Sequence, residues 1–581
     1  MLGKITYIAD DCAHVKILEN SSVSINLMNL HVVFEDSRSK ILGEVVNIDD
    51  DVIIARFLGE FKDGTFYSGI INKPELTANV RIINEQELAI IIGTKTNDSF
   101  LLGRSPLYNN FPITTNVNEL FGHHMAIFGS SGSGKSCGFA SIIQHVFSEP
   151  TIRPVKSNII IFDTYGEYET AFKDINQIDP NFNFKLYSAS DTEGTQSLKI
   201  PLWFLKVEDF ALLLGATKHI QLNVIEQSLK LAKIFAMQTD ESEAYKNHII
   251  AKAILSVFYS NLMPAAKKND IFKIFASCET VEFNLDAEVA GIGYVRKFRD
   301  CFNITTTGDF SERVLITEYI NSHINDELER IETPNNVFFT LEDFERAMNF
   351  CLISEGYLYN EKAYNDAVGL KTRLKTILES NYAKFFKLDQ YMNMEQYLNF
   401  LLTKNGKRTQ IININFEDID DWFAKALTKI MAKMLFNFCK NLPVRGSFPF
   451  HLFLEEAHRY ISNDHDTILF GYNIFNRIAK EGRKYGMILS VITQRPVEMN
   501  EDVVSQCANF IMFKMTHPRD IEFIREMLPN IAQDIVEKQK SLQPGTCVVF
   551  GKAFKIPLIV TMDMPNPEPN SSNVDIVNRW R

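Results

Sequence analysis

Long apolar runs are missing from this 581-residue chain, and no segment approaches the eighteen or so residues that a bilayer-spanning helix needs. The opening residues, MLGKITYIADDC, lack the extended apolar core of a secretory signal. Both absences predict a soluble, cytoplasmic protein with no membrane partner. Cysteine is sparse: eight residues lie scattered at positions 12, 137, 278, 301, 351, 439, 507 and 547. None forms a CxxC pair and none sits beside a histidine at zinc spacing, which argues against a zinc module and predicts free thiols. Tryptophan occurs three times, and internal repeats are missing. An excess of basic residues is missing as well. The 60 Lys+Arg face 72 Asp+Glu, for a net charge of -12. The molecule as a whole repels polyanions, so a nucleic-acid partner would require positive charge gathered in a groove or channel.

What the chain has is length for two or three domains and 45 phenylalanines to fill their cores. Residues 1–97 read as short Val/Ile-rich strands (GKITYIA, HVKIL, GEVVNI, DVIIARFLGEF, NVRII, ELAIII). Asp50-Asp51, Lys62-Asp63-Gly64 and Asn72-Lys73-Pro74 punctuate them. This spacing predicts a small β-barrel or sandwich without catalytic constellations, suited to assembly or docking.

From residue 98 the texture becomes strand–loop–helix–strand, predicting a parallel α/β sheet that runs to 204. Residues 205–400 are predicted to be an inserted helical subdomain. Residues 401–562 return to the α/β pattern, and 563–581, with PNPEPNSS, read as an extended tail.

Chemistry concentrates in five places. Gly129, Ser130, Ser131, Gly132, Ser133, Gly134, Lys135 and Ser136 fit G-x-x-x-x-G-K-[ST], between a short apolar strand and a helix opening at Cys137. The N–H groups of the loop and of Cys137 suit phosphates, Lys135 the β/γ oxygens of ATP and Ser136 a Mg²⁺ ion. A second strand ends in Asp163-Thr-Tyr-Gly-Glu167-Tyr; both carboxylates could face the phosphates, or Asp163 could cap a helix and leave Glu167 solvated. The strand His451-Leu-Phe-Leu454 ends in Glu455-Glu456, read as a water-mediated Mg²⁺ contact and a base for the attacking water. Gln494, after another apolar strand, suits a γ-phosphate sensor, or merely a polar strand end before Pro496. Arg477, Lys480, Arg483 and Lys484 form either a solvated basic face or the source of an arginine finger.

The ordered set GSSGSGKS, FDTYGEY, LFLEEAHRY, AKEGRKYG and VITQRP resembles the HerA branch of the HerA/FtsK superfamily of ring-forming ATPases. LGRSPL (102–107), IPLWF (200–204) and LQPG (542–545) extend the likeness over nearly the whole chain, though 265–400 match poorly. The resemblance implies a RecA-like P-loop core behind an N-terminal barrel, assembled as a homo-hexamer that moves double-stranded DNA through its channel using ATP. It implies nucleotide held between subunits, Arg483 as the neighbour's finger with Arg477 second, and Gln494 as sensor. It also implies an effector partner, either a NurA-type nuclease in repair or a nuclease or sirtuin-like NAD hydrolase in anti-phage defence. One departure stands out: the family usually carries Asp where this chain has Glu455. Two other readings compete: a nucleotide-gated scaffold that organises an effector, and a secretion or conjugation ATPase.

Overall fold

The computed structural model describes residues 2–18, 26–93, 95–188, 196–306, 308–328, 336–355, 361–462, 466–527, 533–571 and 576–580. The first strands are β1 (Gly3–Ile8), β2 (Cys12–Ile17), β3 (His31–Glu35), β4 (Lys40–Asp49), β5 (Val52–Lys62), β6 (Thr65–Ser68) and β7 (Asn79–Ile82). Their order is β2-β1-β7-β3-β4-β5-β6, and pairing of β2 with β5 closes a six-stranded barrel that leaves β6 at its rim. Closure removes the sheet edges, and Val15, Val32, Phe34, Ile41, Ile53 and Val80 fill the interior.

The segment ELAIII, expected as a strand, is instead a helix, Glu85–Ile92. Asn84 accepts from the Glu87 N–H, and the Glu87 carboxylate accepts from the Asn84 N–H; this reciprocal cap outweighs the β-propensity of three isoleucines. Glu87 also takes hydrogen bonds from Arg81 on β7 and an ion pair from Lys40 on β4, fastening the helix to the barrel.

The second sheet gathers β8 (Ser99–Ser105), β9 (Phe111–Asn116), β10 (Met125–Phe128), β11 (Ile159–Asp163) and β12 (Phe184–Tyr187). Two small hairpins, β13 (Glu288–Gly291) with β14 (Tyr294–Lys297) and β15 (Thr403–Lys404) with β16 (Lys407–Arg408), stand apart. The sheet then takes β17 (Ile411–Asn415), β18 (Phe450–Glu455), β19 (Met487–Thr493), β20 (Asn509–Phe513), β21 (Thr546–Gly551) and β22 (Leu558–Thr561). Its order is β12-β17-β11-β18-β19-β10-β20-β21-β22-β8-β9. The run from β12 to β20 is parallel and the remainder antiparallel.

Buried on both faces, the central strands alternate between two cores. Ala126, Phe128, Ile160, Phe162, Leu452, Leu454, Leu489 and Val491 point to one, built with the long helix Asp421–Asn441 and the helices Val207–Leu214, His219–Ala236 and Leu341–Ser354. Met125, Ile127, Ile159, Ile161, Phe453 and Ile492 point to the other, built with the helix Lys135–Ser148. The inserted helices carry a further core of their own around Ile254, Phe275, Phe298 and Phe310.

Candidate nucleotide site

The parallel strands put their C-terminal ends along one edge, and β10 lies between β19 and β20 at the centre. The loop leaving β10 therefore has neighbours on both sides. The Gly129 N–H reaches the Thr493 carbonyl (3.4 Å), and the Ser130 N–H reaches the Lys514 carbonyl (2.8 Å). Gly134 adopts φ +101°, and a Cβ there would meet the Gly545 nitrogen at 2.8 Å, so only glycine fits. Gly545, from the LQPG segment, in turn donates to the Ser133 carbonyl (3.0 Å). Lys135 folds back over the loop and donates to the Ser130 carbonyl (3.0 Å). Burial lowers its pKa, against the pull of Glu456, Glu455 and Glu167.

A polar cleft of about 530 Å³ opens here, lined by Ser131, Gly132, Gly134, Lys135, Ser136 and Cys137 of the loop and by Glu167, Glu455, Glu456 and Gln494 from neighbouring strand ends. Gly129, Ser130 and Ser133 do not line the cleft, and the Ser130 hydroxyl accepts the Thr516 N–H (3.1 Å). The Glu167 carboxylate hydrogen-bonds Ser136, and burial raises its pKa. Glu456 sits at φ +46°, a costly conformation for a residue with a Cβ, held at the end of β18. Burial raises its pKa too, opposed by Lys135 and by a hydrogen bond from the Gln494 N–H. Glu455 is pushed well above the usual carboxylate range by burial and by Asp163, Glu167 and Glu456. Its Oε2 accepts the Thr164 N–H (3.0 Å), and its carbonyl accepts the Thr164 hydroxyl (3.0 Å).

Asp163 does not line the cleft. It is fully buried and accepts from the N–H groups of Glu167 (3.0 Å) and Tyr168 (3.0 Å) and from Asn413 Nδ2 (2.9 Å). Its carboxylate is spent on shaping the 163–168 turn, while Glu167 is turned into the cleft rather than solvated. Arg483 is exposed at the opposite edge, near His123 and His124 at the start of β10. All of β19 separates it from Gln494, about 20 Å at ~3.3 Å per residue. Arg477 lies against Glu481 (3.7 Å) and over the rings of Phe436 and Tyr472.

The tail contributes what sequence reading missed. Residues 566–571 fold back as a strap: Gln144 accepts the Asn566 N–H (2.8 Å) and donates to the Pro567 carbonyl (2.9 Å), and Thr170 donates to the Glu568 carbonyl (2.8 Å). Glu568, Pro569 and Ser571 thereby form a wall of the cleft beside Cys137. The tail then includes a short helix, Ile576–Trp580, while 572–575 and 581 fall outside the described residues. PNPEPNSS carries a turn signature but no sign of these partners.

One lysine faces four cleft carboxyl groups, those of Glu167, Glu455, Glu456 and Glu568, and the Oε2 atoms of Glu167 and Glu456 are buried without hydrogen-bond partners. That surplus of negative charge suits a nucleotide accompanied by a divalent cation. Among the described residues no group of three or more His, Cys, Asp or Glu side chains could hold a metal by itself. An ion here would be shared among Ser136, water and phosphate oxygens. No helix among the described residues is long and apolar enough to cross a membrane.

The family "Helicase HerA, central domain" matches residues 100–434, more than half of the chain. A DNA double-strand break repair helicase HerA of Saccharolobus solfataricus is 28% identical over 200 residues, covering 33% of this chain and only 39% of the relative. The protein of the same name from Pyrococcus furiosus is 23% identical over 550 residues, covering 93% and 82%. Among solved structures, VirB4 of Thermoanaerobacter pseudethanolicus aligns over 81% of this chain and 98% of its own, at 13% identity and a TM-score of 0.43. The matched residues include the phosphate loop, and the chain belongs to the family of the HerA helicase central domain.

Proposed function

We propose that this chain is one subunit of a homo-hexameric, ATP-hydrolysing motor that translocates on or unwinds double-stranded DNA. The observation that carries the reading is the separation of Arg483 from its own cleft by the length of β19. A cation placed there serves a nucleotide held by an adjacent copy, as ring assembly requires. Lys135 would hold the β/γ-phosphates, Ser136 the Mg²⁺, and Glu455 the ion through water. Glu456 would polarise the attacking water and Gln494 sense the γ-phosphate. Asp163 would serve by setting the turn that aims Glu167. DNA as the load rests on the helicase names of the relatives. The barrel is the natural dock for an effector, a nuclease or a sirtuin-like NAD hydrolase, in repair or in anti-phage defence.

The acidic net charge favours one alternative, a nucleotide-gated ring that organises an effector without travelling along DNA. Adding duplex DNA separates the two, because the motor's ATPase rate rises and the scaffold's does not. The inter-subunit site is tested by mixing. Arg483→Ala and Glu456→Gln should each lose hydrolysis by about 10²-fold or more. Mixed rings should regain part of it, because an intact Glu456 then meets an intact Arg483 across some interfaces. Rings that assemble from both variants yet recover nothing would sink the trans assignment.

A further inference from the structure

β18 and β19 are adjacent parallel strands, and their ends carry Glu456 and Gln494, the two groups assigned above to the attacking water and the γ-phosphate. Their side chains need a fixed spacing, yet Glu456 Oε2 has no hydrogen bond and its backbone occupies the left-handed region. Something must hold the pair. The chain leaving Glu456 makes a single 3₁₀ turn, Ala457–Arg459, closed by the Arg459 N–H on the Glu456 carbonyl (2.9 Å). That turn brings His458 back across the strand ends. Its Nδ1 lies 2.9 Å from Thr493 Oγ1 and 3.3 Å from Glu456 Oε2.

Thr493 is fully buried and already anchored twice. Its hydroxyl oxygen accepts the Arg495 N–H (3.0 Å), and its carbonyl accepts the Gly129 N–H at the start of the phosphate loop (3.4 Å). Gln494, the next residue, gives its N–H to the Glu456 carboxylate. His458 therefore touches both strand ends: it bonds Thr493, the residue before Gln494, and packs against the Glu456 carboxylate. With Thr493 Oγ1 accepting from Arg495, its proton is free for His458 Nδ1; in the other imidazole tautomer Nδ1–H donates to Thr493. Either way the bond is made. His458 is only slightly exposed and is not among the residues lining the cleft.

We propose that His458, clamped to Thr493, is a positioning residue for ATP hydrolysis that fixes the spacing between Glu456 and Gln494. The proposal rests on the assignment of those two residues above. A group that only sets the alignment of others affects the hydrolytic step and leaves nucleotide binding alone.

The test is steady-state ATPase kinetics with ATP-analogue affinity measured alongside, on the full chain. His458→Ala should lower kcat about 10- to 100-fold, with KM and analogue affinity within about twofold. His458→Asn, whose amide falls where Nδ1 lies, should recover most of the loss. Thr493→Val should match His458→Ala, and Thr493→Ser should stay near wild type. The double variant His458→Ala/Thr493→Val should be no slower than the worse single one, because both break the same bond. The proposal is overturned by an unchanged kcat in His458→Ala, by an asparagine no better than alanine, by multiplying losses in the double variant, or by a loss confined to affinity. Should the alanine variant fold poorly, the Thr493 pair decides alone. Full turnover in Glu456→Gln would instead overturn the assignment of Glu456, a separate outcome.

Discussion

The Asn570 N–H donates to the Glu167 carbonyl at 2.8 Å, joining the C-terminal strap to the turn whose glutamate bonds Ser136. The strap is thus one residue removed from the phosphate loop. Deleting residues 566–581 removes a wall of the cleft and several hydrogen bonds, each worth about 1 kcal/mol net. Nucleotide affinity should fall about 3- to 30-fold, measured by titration with a fluorescent ATP analogue. Unchanged affinity would show that the strap lies outside the binding surface.

A second prediction concerns acid. Burial opposes ionisation of Glu87, but hydrogen bonds from Arg81, Lys40 and the Asn84 N–H overcome it and leave the pKa at about 2. The folded value lies below the ordinary one of 4.5, so this stabilisation is complete above roughly pH 4.5 and fades as pH falls toward 2. Glu87→Gln should therefore weaken amide-exchange protection of the helix Glu85–Ile92 at pH 7, by roughly 1–3 kcal/mol. The gap from wild type should narrow between pH 5 and pH 3. A gap that stays constant over that range would remove charge as its cause.

These two regions differ in how much the sequence disclosed. The phosphate loop was legible because glycine, lysine and serine at fixed offsets have one common structural reason. The sheet was legible from runs such as Ser157–Phe162 bounded by turn residues. ELAIII misled because a short apolar run fits helix and strand equally, although Asn84 and Glu87 already stood at capping-box spacing. Which strand-end carboxylate faces the cleft was not legible: Asn413, on a neighbouring strand 250 residues away, helps to hold Asp163 inward and leave Glu167 free. The strap and the His458–Thr493 bond likewise depend on strand order, which local pattern does not encode.

The length of the Glu455 side chain has a structural consequence. Glu455 reaches the buried Thr164 N–H through its longer arm. Glu455→Asp retracts the carboxylate by about one methylene and leaves that donor unpaired, at a cost of roughly 1–3 kcal/mol. Local protection of the Thr164 amide in hydrogen exchange should fall accordingly. Unaltered exchange would mean that the turn adjusts to the shorter side chain.

The last prediction concerns how the barrel is held. Lys538, on the helix Gln533–Lys540, pairs with Glu44 of β4, and both side chains are about nine-tenths buried. The adjacent Gln539 is fully buried and accepts the Met515 N–H (2.6 Å). Met515 lies between Lys514, whose carbonyl holds the Ser130 N–H, and Thr516, which bonds the Ser130 hydroxyl (3.1 Å). Barrel and phosphate loop are therefore joined by a short chain of bonds. A buried ion pair contributes little net stability against an apolar replacement, yet removing one partner strands a charge, at about 3–5 kcal/mol. Glu44→Gln should thus loosen the barrel markedly, seen as faster proteolysis between residues 83 and 99. The double change Glu44→Met/Lys538→Met should restore resistance to near the wild-type level. If the double variant is cleaved as fast as the single one, the pair is an attachment in its own right, and the barrel depends on its charge rather than on its burial.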